Sequence, residues 1–352
     1  MSSPIPIQNL YFLLSYAWDH FHEGDEVDVS ADACPDLANL LARVLALGIE
    51  RLVRRGLDQQ YVETQEALAG LRGKVLVAES YRRMTHRSGR MECRFDELSP
   101  DVPPNRILRS TCDRFLSNPS LTHENRHLVR MARRWLAEVR PIRLNAGVFR
   151  RIQFHRNNRS YRFLIHVCRL AFDCLLPEES SGTHRFHDIL RDDLIMPRLF
   201  EAFVRNFARR HCRGARVSAM GISWDVECDE ASAEALPGML TDVTVSWPGR
   251  KLILDCKFYR EAMGTREGRQ KLHSANLYQL VAYLKNKARD PGWETVEGML
   301  LYPAVRHDLD FSYRLLGHAV RIRSIDLDQG WQDIERDLLE VLHPERQTAL
   351  AE

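Results

Sequence analysis

Residues 242–257 constrain this chain more tightly than any other segment. They read D-V-T-V-S-W-P-G-R-K-L-I-L-D-C-K. Residues 240–247 and 251–259 are rich in Val, Ile, Leu and aromatics, and Pro248 and Gly249 between them are turn punctuation. The pattern predicts an antiparallel hairpin. If the loop is just those two residues, paired positions sum to 497, which sets Asp242 opposite Asp255. Directly opposed residues have Cβ atoms about 4.5–5.5 Å apart, and like charges there repel. A divalent cation turns that repulsion into a binding site, because hard cations such as Mg²⁺ take oxygen ligands. Pro-Gly suits a type II turn, whereas two-residue hairpins favour the primed types, so a longer loop with shifted pairing stays open.

The strand period of two puts Ile253, Asp255, Lys257 and Tyr259 on one face. Leu252, Leu254, Cys256 and Phe258 take the other, which reads as core. An acid and a lysine two apart, beside an acid on the neighbouring strand, resemble the PD-(D/E)xK nuclease site. The plainer alternative is a surface Lys–Asp pair, since D-x-K recurs by chance. Here, however, the polar pair interrupts an otherwise buried-looking strand.

Other residues can complete such a site. Glu201 sits at the flank of the apolar face of a helix before the hairpin, where nucleases of this kind often supply a third acid. Its alternative is an exposed i,i+4 pair with Arg205. Gln279 and Tyr283 lie one turn apart on a helix after Lys257 and match the Q-x-x-x-Y element of some of these nucleases. Otherwise they are a surface amide beside a buried, satisfied tyrosine. His273 reads as a helix-start or DNA-facing residue. No G-x-S-x-G elbow supports serine chemistry.

The 50 basic residues nearly cancel the 48 acidic ones, so any DNA-binding surface must be local. Residues 142–162 are such a place. Arg143, Arg150, Arg151, Arg156, Arg159 and Arg162 are interleaved there with Phe149, Phe154 and Tyr161. Arginines can hold a phosphate backbone and aromatics can stack on bases, while a solvated connector is the bland alternative. The eight cysteines show no C-x-x-C and no zinc-ligand spacing, so they read as small core residues in a reducing cytoplasm. No signal peptide and no apolar run of membrane-spanning length is apparent.

Helical periodicity marks residues 8–21, 37–53, 105–116, 124–139, 161–176, 194–212, 269–287 and 332–342. Strand-like pieces fall at 74–78, 91–95, 298–302 and 318–322. The G-L-R-G-K-V of residues 70–75 lacks phosphate-loop spacing. The fold class expected is α/β (α+β). A mixed helix/strand module, residues 1–157, precedes a domain of residues 158–352 with a mixed sheet flanked by helices. Helix, hairpin, helix, strand is the order in which PD-(D/E)xK nucleases build their sheet.

Taken together, these segments resemble one family, McrC, the nuclease subunit of the McrBC 5-methylcytosine-dependent restriction system. The resemblance runs through residues 5–18 (I-P-I-Q-N-L-Y-F-L-L-S-Y-A-W), 70–75, 105–111 (N-R-I-L-R-S-T), 161–168 (Y-R-F-L-I-H-V-C), 241–245 (T-D-V-T-V), 254–259 (L-D-C-K-F-Y) and 273–280 (H-S-A-N-L-Y-Q-L). Thr241 stands where the family usually has proline. The resemblance implies catalysis by Asp242, Asp255 and Lys257, with Mg²⁺ held by Asp242, Asp255, the Cys256 carbonyl and Glu201. It implies a cytoplasmic protein that docks through its N-terminal half on a GTP-hydrolysing AAA+ ring of McrB type, stimulates its GTPase and cuts methylated double-stranded DNA. The segment 142–162 and the loop at Arg87 and Arg90 are candidate contacts to motor or DNA. Two rival readings are a non-catalytic activator of a ring motor and a helicase-associated recombination nuclease.

Overall fold

The computed structural model describes residues 5–19, 30, 32–177, 184–186, 195–258, 263–266, 269–304 and 309–343. Two compact units divide the chain. One holds residues 32–187; the other joins residues 1–31 to 188–352. A division near residue 157 was expected, and packing explains the difference at both ends.

The chain opens with helix α1 (Ile7–Ala17), which buries Leu10, Leu13 and Leu14. It belongs to the second unit. Asn9 Nδ2 donates to the carbonyls of Leu327 and Gln329, both at 2.8 Å. Nothing local in the sequence announces a bond across more than 300 residues.

The unit of residues 32–187 begins with α2 (Leu37–Arg55), started by Asp36, whose carboxylate accepts from the Asn39 N–H. Strands β1 (Gln60–Leu68), β2 (Lys74–Val75) and β3 (Met91–Ser99) form a three-stranded antiparallel sheet in the order β1-β3-β2. The strand expected at 74–78 stops after two residues, and α3 (Val77–Arg82) follows. Gly73 permits the turn before it: its φ is +63°, and a Cβ there would lie 2.3 Å from the Arg94 carbonyl oxygen. Next come α4 (Pro103–Leu116), α5 (His123–Trp135), α6 (Ala146–Arg150) and α7 (Tyr161–Cys174), then the short pair β4 (Leu175–Pro177) and β5 (His184–Phe186). Helix α7 packs on α2 and α4, which carries the unit past residue 157. The Tyr161 hydroxyl accepts from the Asp58 N–H at 2.8 Å.

The other unit continues with α8 (Ile195–His211), β6 (Arg216–Ser218), β7 (Gly221–Ile222), α9 (Glu230–Glu234), β8 (Met239–Leu240), β9 (Val243–Trp247) and β10 (Arg250–Cys256). The pair β11 (Met263–Arg266) and β12 (Arg269–Leu272) follows, then α10 (Ser274–Lys287), β13 (Glu297–Ala304), β14 (Asp310–Leu315), β15 (His318–Asp326) and α11 (Trp331–Leu342). Residues 269–272 are therefore strand rather than the first turn of the helix, and His273 is the residue that starts α10.

The main sheet runs β14-β15-β13-β10-β9-β6. It is mixed: β10, β13 and β15 are mutually parallel, and the remaining pairs are antiparallel. Strand β10 is central and buried on both faces. Ile253 packs with Leu280, Tyr283 and Leu284 of α10, together with Leu300, Tyr302 and Ile322. Helix α8 packs on β6, β9 and β10, and its Phe200 meets Phe258 at 5.8 Å between ring centroids. Trp331 closes an aromatic cluster with Phe12, Tyr16 and Phe203. Helix, hairpin, helix, strand is thus the observed order.

Candidate active site

The hairpin register places the acids. Arg250 pairs with Trp247 and Leu254 with Val243, so the loop is Pro248 and Gly249 alone. Gly249 has φ +78°, as the third position of a type II turn requires. Asp242 is the residue just before β9, and the register carried one step further brings it opposite Asp255. Its Oδ2 accepts from the Cys256 N–H at 2.7 Å, a side-chain substitute for the next rung of the ladder. The N–H and C=O of an extended residue point the same way, so the Cys256 carbonyl also faces the Asp242 side.

Two residues that the sequence did not mark for such a role hold Asp242 in place. Thr241 is buried; its N–H donates to the Met220 carbonyl at 3.0 Å, and its hydroxyl accepts from the Met220 N–H at 2.9 Å. Proline at this position could donate no such bond. Arg205 Nη1 donates to the Asp242 carbonyl at 2.9 Å. The i,i+4 ion pair of Arg205 with Glu201 does not form. The signals were there, a β-branched residue before the acid and an arginine on the helix, but neither pattern names its partner.

Asp255 is only 1% exposed, and no donor reaches either carboxylate oxygen in hydrogen-bond geometry. Lys257 Nζ lies 2.9 Å from Oδ2 as an ion pair. Burial, then the charge of Asp242, pushes the Asp255 carboxyl up to about 7 against the pull of Lys257. Burial also raises Asp242, opposed first by the Cys256 N–H and then by Lys257. The same burial and the two carboxylates hold the Cys256 thiol protonated, which suits no nucleophile.

Lys257 is fixed from its far side. Its Nζ donates to Gln279 Oε1 at 2.9 Å; Gln279 Nε2 donates to the Tyr283 hydroxyl at 2.7 Å; that hydroxyl donates to the Leu240 carbonyl at 3.1 Å. The relay ties α10 to the residues leading into Asp242. Gln279 is exposed and Tyr283 buried, so the pair is both a satisfied tyrosine and a link to the lysine.

Glu201 is half-buried on α8. Burial raises its carboxyl, the Asp242 charge adds to that, and Arg205 and Lys257 oppose it. It is near the acids without joining them. Among the described residues, no group of three or more His, Cys, Asp or Glu side chains is close enough to cage a metal. The expected third acid is thus not gathered with the other two. What the structure assembles is Asp242, Asp255, Lys257, Gln279 and Tyr283, plus the Cys256 backbone. Tyr259 lies outside the described residues.

The other expectations divide. Seven of the eight cysteines are buried and Cys228 is exposed. Tyr161 is buried, so it offers no ring to a base. No described helix is long and apolar enough to cross a membrane.

Comparison with known proteins bears on the whole chain. The profile of the family described as McrBC 5-methylcytosine restriction system component matches residues 7–303. The Type IV methyl-directed restriction enzyme EcoKMcrBC of Escherichia coli (strain K12) is 31% identical over 338 residues, covering 96% of this chain and 97% of that one. In the solved structures, McrC bound to McrB AAA+ hexamers of Thermococcus gammatolerans superposes with a TM-score of 0.57. That likeness has 20% identity and covers 96% of this chain and 76% of the other.

Proposed function

The chain belongs to the McrBC 5-methylcytosine restriction system component family, and on that premise we propose that it is the DNA-cutting subunit, hydrolysing phosphodiester bonds. The observation that carries this reading is Asp255: a carboxylate 1% exposed, opposite Asp242, with the Lys257 ammonium 2.9 Å from its Oδ2. Two opposed, buried carboxylates set against the Lys257 ammonium leave an excess of negative charge out of water, which costs several kcal/mol and calls for an ion or a chemical role.

The donor set suits Mg²⁺, which accepts one or two carboxylates and keeps several waters. Asp242, Asp255 and the Cys256 carbonyl would hold it, and Glu201, half-buried on α8, would reach it through a water. The chemistry supplied by that ion is polarisation of the phosphoryl oxygen and acidification of a coordinated water. Lys257 would position the attacking water and offset charge growing on the phosphate. Gln279 and Tyr283 keep its ammonium group aimed at the acids.

The partner is proposed to be an AAA+ ring of McrB type that hydrolyses GTP, as the relative bound to McrB hexamers suggests. The reading places this protein in the cytoplasm, acting on methylated duplex DNA. The three-stranded sheet and its flanking turns offer a surface for the ring. Tyr61 and Leu98 on the sheet, Val77 and Tyr81 on α3, and Leu71 and Met84 on the turns beside them are all exposed, and uncovered apolar side chains in such number mark a protein contact.

The test assembles Asp255→Asn and Lys257→Ala chains with the ring, GTP and methylated duplex. Both variants are expected to lose double-strand cleavage, by roughly 10²–10³-fold or more, and to keep GTPase stimulation. Cleavage at the wild-type rate by either variant ends the catalytic reading. Cleavage absent from the wild type with stimulation intact favours a non-cutting activator.

A further inference from the structure

From Val139 to Phe172 the chain contains no acidic residue. The arginines at the two ends of this stretch are neutralised: Arg140 pairs with Asp101 at 2.7 Å and Arg169 with Asp173 at 2.8 Å. The six between them, Arg143, Arg150, Arg151, Arg156, Arg159 and Arg162, are exposed, and none makes an ion pair among the described residues. They sit on α6, on the short 3₁₀ turn Arg156–Asn158 and on the residues around them, so one small region of the unit concentrates the charge. A chain whose basic and acidic totals nearly cancel thus carries six uncompensated guanidinium groups within twenty residues.

The aromatic side chains interleaved with these arginines are already engaged. The Arg162 guanidinium lies 5.5 Å over the Phe154 ring, and the Arg169 guanidinium 5.5 Å over the Phe149 ring. Phe149 also packs against Phe172 at 5.6 Å, and Tyr161 is buried. Stacking on unpaired bases, which single-strand binders rely on, finds no open ring here. A protein partner is poorly matched for a different reason. Interfaces between proteins are anchored by buried aromatic or aliphatic side chains, and no large hydrophobic side chain of residues 143–162 is exposed. Guanidinium groups without apolar anchors match phosphate oxygens, which they bind in bidentate geometry.

We propose that residues 143–162 form a sequence-independent contact for the phosphate backbone of double-stranded DNA. The proposal rests on the reading of the chain as a DNA-cutting subunit. It adds a surface that holds the duplex, separate in kind from the acids and lysine that would cut it.

The experiment uses the full-length chain and a fluorescein-labelled duplex, with binding followed by anisotropy over a series of NaCl concentrations. Each phosphate contact contributes about 0.9 to the slope of log K against log salt. The triple variant Arg150→Ala, Arg151→Ala, Arg159→Ala is expected to lower that slope by roughly 2 to 3. The matching triple lysine variant is expected to keep it, since counterion release needs the charge and not the fork. These side chains are exposed, so both variants should melt with the wild type. An unchanged slope in the alanine variant overturns the proposal, as does a wild-type chain that fails to bind duplex at low salt. So does an alanine variant that keeps the slope but no longer co-purifies with the ring, which would make this a protein contact. Cleavage by Asp255→Asn is measured in parallel, with the variant assembled with the ring, GTP and methylated duplex. If that variant still cuts, the catalytic reading falls and the slopes alone decide this surface.

Discussion

Strands β10 and β1 make opposite use of a sheet. From Leu252 to Cys256, β10 is buried without interruption, yet Asp255 stands within that run. Strand β1 is nine residues long and mostly exposed, and its register sets Tyr61 directly opposite Leu98, two apolar side chains that are 73% and 50% exposed. One strand puts a charge where the fold favours hydrocarbon. The other puts hydrocarbon where the free chain meets water. Each runs against what folding alone would select, and each therefore points to something beyond folding: chemistry in the first case and a covering partner in the second.

If β10 carries a charge at the expense of stability, removing the charge should stabilise the protein. The Asp255 carboxyl is pushed up to about 7 from an ordinary value of 3.8. The folded state therefore favours the protonated form. The stability linked to this group is fully present below about pH 4 and is lost as pH rises through about 7. Asp255→Asn, held in chelator and unfolded with urea at pH 8, is expected to gain on the order of 2–4 kcal/mol over wild type. The gain should shrink as pH falls from 7 toward 4. Equal stability at pH 8 would mean that Lys257 fully compensates the carboxylate and that no energetic conflict exists in β10.

The next effect is on rate. Gln279 grips Lys257 at 2.9 Å without touching either acid. Gln279→Ala should slow cleavage by about 10–100-fold, the usual consequence of losing a supporting hydrogen bond behind a reactive group, with DNA affinity unchanged. A wild-type rate would reduce the relay through Tyr283 to a structural tie between α10 and Leu240.

The motif was legible because its information is local. Two residues of turn fix the pairing, pairing fixes Asp242 against Asp255, and the strand period fixes Lys257 beside them. Gln279 and Tyr283 were legible for the same reason, being one helical turn apart. What stayed hidden depends on distant partners. Asn9 gives no hint that it will bond to Leu327 and Gln329, so the first helix was assigned to the wrong unit. Residues 60–68 alternate weakly because both faces of β1 meet solvent, so no period marked their full length. Arg205 looked like the i,i+4 partner of Glu201, and only the folded sheet shows a better acceptor in the Asp242 carbonyl.

Thr241 sharpens the same distinction. Its buried hydroxyl accepts from the Met220 N–H and also bonds the Thr244 hydroxyl at 2.8 Å. Thr241→Val keeps the shape and removes both bonds, leaving the half-buried Met220 N–H and the buried Thr244 hydroxyl without these partners, so a loss of roughly 1–3 kcal/mol is expected in urea unfolding. Thr241→Ser should retain most of that. If valine is tolerated without loss, the approach to Asp242 is held by the backbone and Arg205 alone.

The smallest change in stability is expected on β1, and its smallness is the informative part. Tyr61→Thr with Leu98→Thr keeps two strand-compatible residues in register. Because both side chains are already largely in water, little apolar area leaves or enters solvent in the free chain, and each substitution should move stability by no more than about 0.5 kcal/mol. Retention by the ring motor should nevertheless fall, since that surface loses its apolar anchors. A loss of more than about 2 kcal/mol would be the cost of a core position, and the contrast with β10 would collapse. A chain that is as stable as before and equally well retained would leave the contrast standing but move the partner to another face.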